Sequence, residues 1–261
     1  MRTFIFLGTG TSQGVPIIGC DCAVCRSNDK RDHRLRTSGL IKSDNTQIVI
    51  DAGPDFRFQM LRERIKGNII DRLDGIVLTH FHHDHIGGLD DVRPYLHIMQ
   101  KPVALYGNSD TLHHIQDETF RYAFSENPYP GAPQFATHIV KDEPFVIGDI
   151  MLQPVDVLHK ENFPILGYRI DDFVYLTDVK FISSDSLEKI RGAHTLVINA
   201  LRGWQHPSHL SLPEALTIIE QVKPKQAYLT HISHRLGLYD DVVKQLPENV
   251  LPAYDGLEIT V

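Results

Sequence analysis

Three short stretches of this chain end in the same way. Residues 77–80 read VLTH, residues 174–178 read VYLTD and residues 227–231 read AYLTH. In each, a run of strand-forming residues stops at Leu-Thr, and the next side chain is one that binds metals or moves protons. Such side chains gather at the C-terminal edges of strands in many α/β folds. A fold that sets these three strand ends side by side would bring His80, Asp178 and His231 into one cleft. That requirement narrows the choice of folds more than any bulk property does.

The rest of the chain supplies the parts. Apolar, β-rich runs predict strands at residues 3–7, 47–50, 75–78, 103–106, 167–170, 173–176, 195–198 and 226–229. The clearest helix spans residues 212–222. Leu212, Ala215, Leu216, Ile219 and Val222 share one face, and Ser211 with Glu214 forms a capping box. Weaker helical patterns cover 55–66, 110–124 and 186–191. Residues 50–53 read as a strand running into a tight turn, and SENPYPGAP at 125–133 as a loop beside a site. Many strands with peripheral helices mean sheets covered by helices, an α/β architecture. With 261 residues, 42% of them hydrophobic, and no internal repeat or linker-like shift, a single domain over 1–261 is expected. No apolar run nears the ~20 residues of a membrane span. The N-terminal stretch has only four apolar residues in a row, too few for a signal-peptide core, so the expected compartment is the cytoplasm. A net charge of −7 argues against nucleic acid as the general partner.

Fifteen histidines direct attention to metals. Residues 75–88, GIVLTHFHHDHIGG, supply His80, His82, Asp84 and His85 just after a strand. An H-x-H pair on a turn can bind one ion, and the following Asp-His a second. His83 falls between the ligand positions and reads as a bystander. His159, after the extended stretch MLQPVDVLH, is a further plausible ligand. All three cysteines, Cys20, Cys22 and Cys25, lie within GCDCAVC. Three cannot all pair among themselves, and in a reducing compartment metal binding is the better use of them.

HFHHDH matches the H-x-H-x-D-H signature of the metallo-β-lactamase-fold hydrolases, and His159, Asp178 and His231 match their remaining ligand positions in order. The resemblance covers nearly the whole chain. It implies a four-layer αβ/βα sandwich with a two-metal site, zinc or manganese, at one edge. His80, His82 and His159 would hold one ion, Asp84, His85 and His231 the other, and Asp178 both. GTSQGVPIIGCDCAVC is more specific: it resembles the phosphodiesterases of bacterial phosphonate breakdown, which open a phosphoribosyl 1,2-cyclic phosphate. In that group C-x-C-x2-C and a histidine three residues past the last active-site histidine hold a structural zinc. Here that histidine is His234, in LTHISH. Four S/N ligands without an open position are the chemistry of a structural site.

The implied reaction is cleavage of a small phosphodiester, cyclic or nucleotide-like, by hydroxide held between the two ions. Catalysis would rest on Asp84 and on His209, which precedes the 212–222 helix in HLS and is similar to the H-x-[ST] element of superfamily phosphodiesterases. His206 is the rival proton donor, and Arg202 and His206 are candidate substrate contacts. Asp91 and Arg93 could pair to support the ligands. Four other readings compete. A β-lactam hydrolase is disfavoured, because Asp178 stands where the zinc β-lactamases commonly place cysteine. A tRNA 3′-processing nuclease would carry a substrate-binding arm that is not evident here. A protein similar to the accessory protein of pyrroloquinoline quinone biosynthesis would share the cysteine cluster, but the ligand positions are all filled here. A thiolesterase or lactonase would use the same ions against a carbonyl. A homodimer is left open.

Overall fold

The computed structural model of the chain describes residues 2–68 and 70–261. The first half contributes strands β1 (Thr3–Gly8), β2 (Ser38–Lys42), β3 (Gln47–Ile50), β4 (Gly75–Val77), β5 (Val103–Gly107) and β6 (Phe135–Ile139). The second contributes β7 (Phe145–Ile147), β8 (Ile150–Lys160), β9 (Phe163–Ile170), β10 (Phe173–Leu176), β11 (Thr195–Asn199), β12 (Gln226–Thr230), β13 (Val250–Pro252) and β14 (Glu258–Thr260). They form two seven-stranded sheets, ordered β14-β1-β2-β3-β4-β5-β6 and β13-β12-β11-β10-β9-β8-β7. The strand β14 returns from the second half to pair antiparallel with β1.

Burial on both faces explains why these strands read as unbroken apolar runs. In β1, Phe4 and Phe6 point between the sheets, while Ile5 and Leu7 face the outer core with Phe56 and Met60 of the helix Phe56–Ile65. In β10, Phe173 and Tyr175 join the inter-sheet core, and Val174 and Leu176 pack outward with Ala215 and Ile219 of the helix Leu212–Val222. Each large side chain so buried contributes roughly 1.5–3 kcal/mol. The layers therefore run helix, sheet, sheet, helix, the sandwich that the sequence led us to expect. Strands β3 to β6 are mutually parallel, as are β10 to β13. Their C-terminal ends thus share one rim in each sheet. Across the sandwich, the Tyr168 hydroxyl donates to the Leu78 carbonyl at 2.6 Å, and Leu166 N–H to the Thr79 carbonyl at 2.9 Å. These bonds lock the rims together where β4 ends.

The expected helix at 110–124 is broken. It runs as Ser109–His114, then as a wider π turn over Ile115–Thr119, then as a 3-10 turn over Arg121–Phe124. Phe120 N–H bonds to the Ile115 carbonyl five residues back, which brings both side chains into the same buried cluster. Residues 125–133 form a loop, as expected, and none of the helices among the described residues is long and apolar enough to cross a membrane.

Candidate metal centres and active site

The three Leu-Thr ends do converge. Just past the strands the backbone turns left-handed at three non-glycine residues, with φ of 59° at Asp51, 57° at Asp178 and 52° at His231. That conformation costs on the order of 1 kcal/mol or more per residue. It reverses the chain at the rim and turns each side chain into the cleft. The loop 80–88 is stitched to the turn after β3: Ala52 N–H donates to the His85 carbonyl, and Gly88 N–H to the Ala52 carbonyl, both at 2.8 Å. Gly53 is required by this approach, since a Cβ there would lie 2.0 Å from the Asp84 carbonyl oxygen.

Ligand atoms in the cleft fall into two adjoining groups, His80 with His82 and His159, and Asp84 with His85, Asp178 and His231, and a third grouping of His159, Asp178 and His209 overlaps both. Within each group they lie no more than 4.8 Å apart. His80 Nε2 faces His82 Nδ1 at 3.0 Å. His159 donates Nδ1–H to the Asp178 carbonyl at 2.7 Å, leaving Nε2 for the cleft. In the second group, His85 Nε2 stands 3.2 Å from Asp84 Oδ2 and 3.3 Å from Asp178 Oδ1, and His231 Nε2 stands 3.6 and 3.2 Å from the same two oxygens. The other carboxylate oxygen of Asp178, Oδ2, turns toward the first group, 3.9 Å from His80 Nε2.

These spacings fit cations better than hydrogen bonds. The buried Nε2 of His85 and both ring nitrogens of His231 make no hydrogen bond among the described residues. Two ligands ~2.1 Å from one ion at a tetrahedral angle stand ~3.4 Å apart, close to the values above. Burial alone would raise the Asp178 carboxyl, yet His231 and His85 hold it well below the usual range. Burial opposes charge on His85 too, but Asp178, Asp84 and Asp51 push its pKa well above 6.5. Burial and the neighbouring His85 drive His80 the other way, well below.

Asp51 is a residue that the sequence reading passed over as part of a turn. It is fully buried and its Oδ2 accepts from His85 Nδ1 at 2.7 Å, while Thr79 donates its N–H and hydroxyl to the same carboxylate at 2.8 Å. This bond fixes the His85 tautomer and aims Nε2 inward. Asn199 was missed as well: it brackets Val179 through both amide atoms, at 2.7 and 3.1 Å, and so pins the segment behind Asp178. The expected Asp91–Arg93 pair is not the one formed. Arg93 pairs with Asp90 at 2.6 Å, because three residues along a helical turn share a face and two do not. His83 lies outside both ligand groups.

His209 enters the cleft beside the ligands, its Nδ1 3.8 Å from Asp178 Oδ2 and its ring stacked on His231 with centroids 4.8 Å apart. Burial, opposed by Asp178, lowers its pKa to about 2, so the ring is neutral. His206 is next outward, its ring 5.0 Å from His209. Arg202 instead folds onto its own loop, donating to the Trp204 and Gln205 carbonyls at 3.2 and 2.6 Å.

A second cluster lies apart from this cleft. Sγ of Cys20, Cys22 and Cys25 stand 3.2, 3.3 and 3.5 Å from His234 Nδ1. One nitrogen cannot share a hydrogen with three thiols, but the N–S edges of a tetrahedral zinc site are ~3.5 Å long. The Cys25 backbone N–H lowers the Cys22 thiol to about 6, toward the thiolate a metal needs, while burial pushes the Cys25 thiol up to about 11. The segment 231–234 that joins both clusters is held from the other side: Thr11 N–H donates to the Ile232 carbonyl, and Ile232 N–H to the Thr9 carbonyl.

Comparison with known proteins follows the same lines. A family described as "Beta-lactamase superfamily domain" matches residues 46–232. An octanoyltransferase of Porphyromonas gingivalis is 41% identical over 260 residues, 98% of this chain and 51% of that protein. The chain spans about half the length of the curated relatives that it matches at 41% and 29% identity. Among solved structures, a diphosphatase from the PhnP family is 40% identical with a TM-score of 0.91, covering 100% of this chain and 98% of that one. Zinc-bound PqqB from Methylobacterium extorquens, 17% identical with a TM-score of 0.75 and complete coverage of both chains, shares the fold.

Proposed function

The chain belongs to the beta-lactamase superfamily, in its metallo-β-lactamase form, and on that premise we propose that it is a metal-dependent hydrolase of small phosphodiesters, cyclic or nucleotide-like. The observation that carries this reading is the orientation of Asp178, one oxygen toward each ligand group. His80, His82 and His159 would hold one divalent ion, zinc or manganese, Asp84, His85 and His231 the other, with Asp178 between them. Two such ions supply Lewis acidity toward anionic phosphoryl oxygens and lower the pKa of water. A diester carries one negative charge over two free oxygens, which such a pair can share.

The side chains do the rest. Asp51 and the Asp178 carbonyl orient His85 and His159. Asp84, whose Oδ2 stands beside His85 and His231, would accept the attacking water's proton. Neutral His209 donates an N–H to the leaving oxygen as charge builds there. Cys20, Cys22, Cys25 and His234 would hold a structural zinc, and reduced thiols of that kind suit the cytoplasm. A second reading, cleavage of a diphosphate, is favoured by the 40% identical diphosphatase structure.

The test is steady-state kinetics on a cyclic phosphate, a linear dinucleotide, a dinucleoside diphosphate, a lactone and an octanoyl thioester, with manganese or zinc supplied. We expect a phosphorus ester or anhydride to be fastest. Faster turnover of the lactone or thioester would overturn the proposal. In the same panel His209→Ala should slow substrates with poor leaving groups by ~10²–10⁴-fold and activated aryl esters far less. Equal losses would assign His209 to positioning alone, and leaving-group dependence in His206→Ala would move the role there.

A further inference from the structure

The loop 201–210 is anchored at its base and bare at its tip. Leu201 N–H donates to the Leu210 carbonyl at 3.0 Å, Leu210 N–H to the Val179 carbonyl at 2.8 Å, and Ser233 bonds the Leu201 carbonyl through both its N–H and its hydroxyl. Its base is therefore tied to the residues following Asp178 and His231. The tip carries Trp204, the only tryptophan of the chain, 54% exposed. Arg202 braces the tip from within: its guanidinium bonds two loop carbonyls and lies over the indole, 5.1 Å from the ring centroid.

From His206 of the same loop, a series of rings leads to the ligands. His206, two residues on, packs against His209, and His209 against His159 with centroids 4.7 Å apart. From the other side Phe163 meets His159 and His82 at 5.8 and 5.1 Å, with Lys160 Nζ 5.6 Å from its centroid. The ligands are thus flanked by Phe163 on one side and by His206 of this loop on the other, with Trp204 two residues before His206 along the chain. Phosphate oxygens would sit on the ions, and a substituent of the phosphate on that side would meet the loop that carries His206 and Trp204.

We infer that Trp204 is a specificity-determining residue: its indole, backed by Arg202, stacks on a planar group of the substrate, a nucleobase, outside the phosphate site. The inference rests on the phosphorus-ester reading above and names the part of the substrate that reading leaves open. Stacking reads the flat face common to all bases. The subsite should therefore prefer nucleotides over base-free esters and discriminate little among bases.

The single tryptophan makes the test direct. Metal-loaded protein is titrated with adenosine 5′-monophosphate, uridine 5′-monophosphate and ribose 5-phosphate while Trp fluorescence is followed. Both nucleotides should quench it, and ribose 5-phosphate should bind without quenching. In kinetics with a 2′,3′-cyclic nucleotide and with glycerol 1,2-cyclic phosphate, Trp204→Ala should raise KM about tenfold for the nucleotide only, with kcat nearly unchanged. Trp204→Phe should restore most of the loss. Equal effects on both esters, or an unresponsive indole in a protein that hydrolyses the nucleotide, would overturn the subsite while leaving the hydrolase reading intact. Absence of hydrolysis of every phosphorus ester would overturn the hydrolase reading, and quenching by the nucleotides alone would still support the subsite.

Discussion

The two ligand clusters stand three residues apart at His231 and His234, yet they are built on opposite plans. The cleft draws its ligands from the ends of β4, β8, β10 and β12 and from the loop after β4, more than 150 positions of sequence. His80, His85, Asp178 and His231 are almost wholly buried, and three of the rim residues hold left-handed backbone. The cysteine cluster takes three ligands from six consecutive positions of one loop, part-exposed, and only His234 from afar. One is mixed imidazole and carboxylate on a rigid frame; the other is thiolate-rich on a frame that has little hydrophobic support of its own. In the first, the sheets make the site. In the second, the site makes the loop. Metal should therefore matter to chemistry in one and to folding in the other.

That contrast can be broken at three points. The largest effect is expected from Asp178→Ala, which removes the carboxylate facing both groups. Activity should fall by several orders of magnitude and both cleft ions should be lost on elemental analysis, while the circular dichroism spectrum stays native. Retention of both ions would mean that Asp178 is not their common ligand. Asp51→Asn should come next, at roughly 10–100-fold in cleft metal affinity or rate, because its contact is with His85 and not with an ion. An effect as large as that of Asp178→Ala would make it part of the site itself. Cys22→Ser should do the reverse of both. We expect about one zinc fewer per chain and a melting temperature several degrees lower, at roughly 2–4 °C per kcal/mol for chains of this size, with only a modest change in turnover. Unchanged zinc and melting temperature would end the distinction, and so would a loss of activity as deep as that of Asp178→Ala.

The same contrast explains what could be read from the residues in advance. Strands β3 and β10 and the helix Leu212–Val222 were legible to the residue, since continuous burial or a capping box marks them. Short edge strands such as β7, β13 and β14 were not, because three residues carry no period to detect. The Leu-Thr ends advertised His80, Asp178 and His231. Asp51 follows Ile50 without that signature, and its importance lies in a bond to a residue 34 positions away. Only the parallel pairing of β3 with β4 brings it there. An aspartate in a left-handed turn before alanine and glycine was the available signal, and turns of that kind are common without any site.

Each of the first two groups in the cleft joins the two sheets: His80 and His82 with His159, Asp84 and His85 with Asp178 and His231. Neither set is complete within one half of the chain. During synthesis the first four ligands emerge long before His231, and a cation captured by them alone would lack the partners that define its geometry. The cleft can therefore be complete only once both halves have been made, and an ion seated in it would act as a cross-link between them.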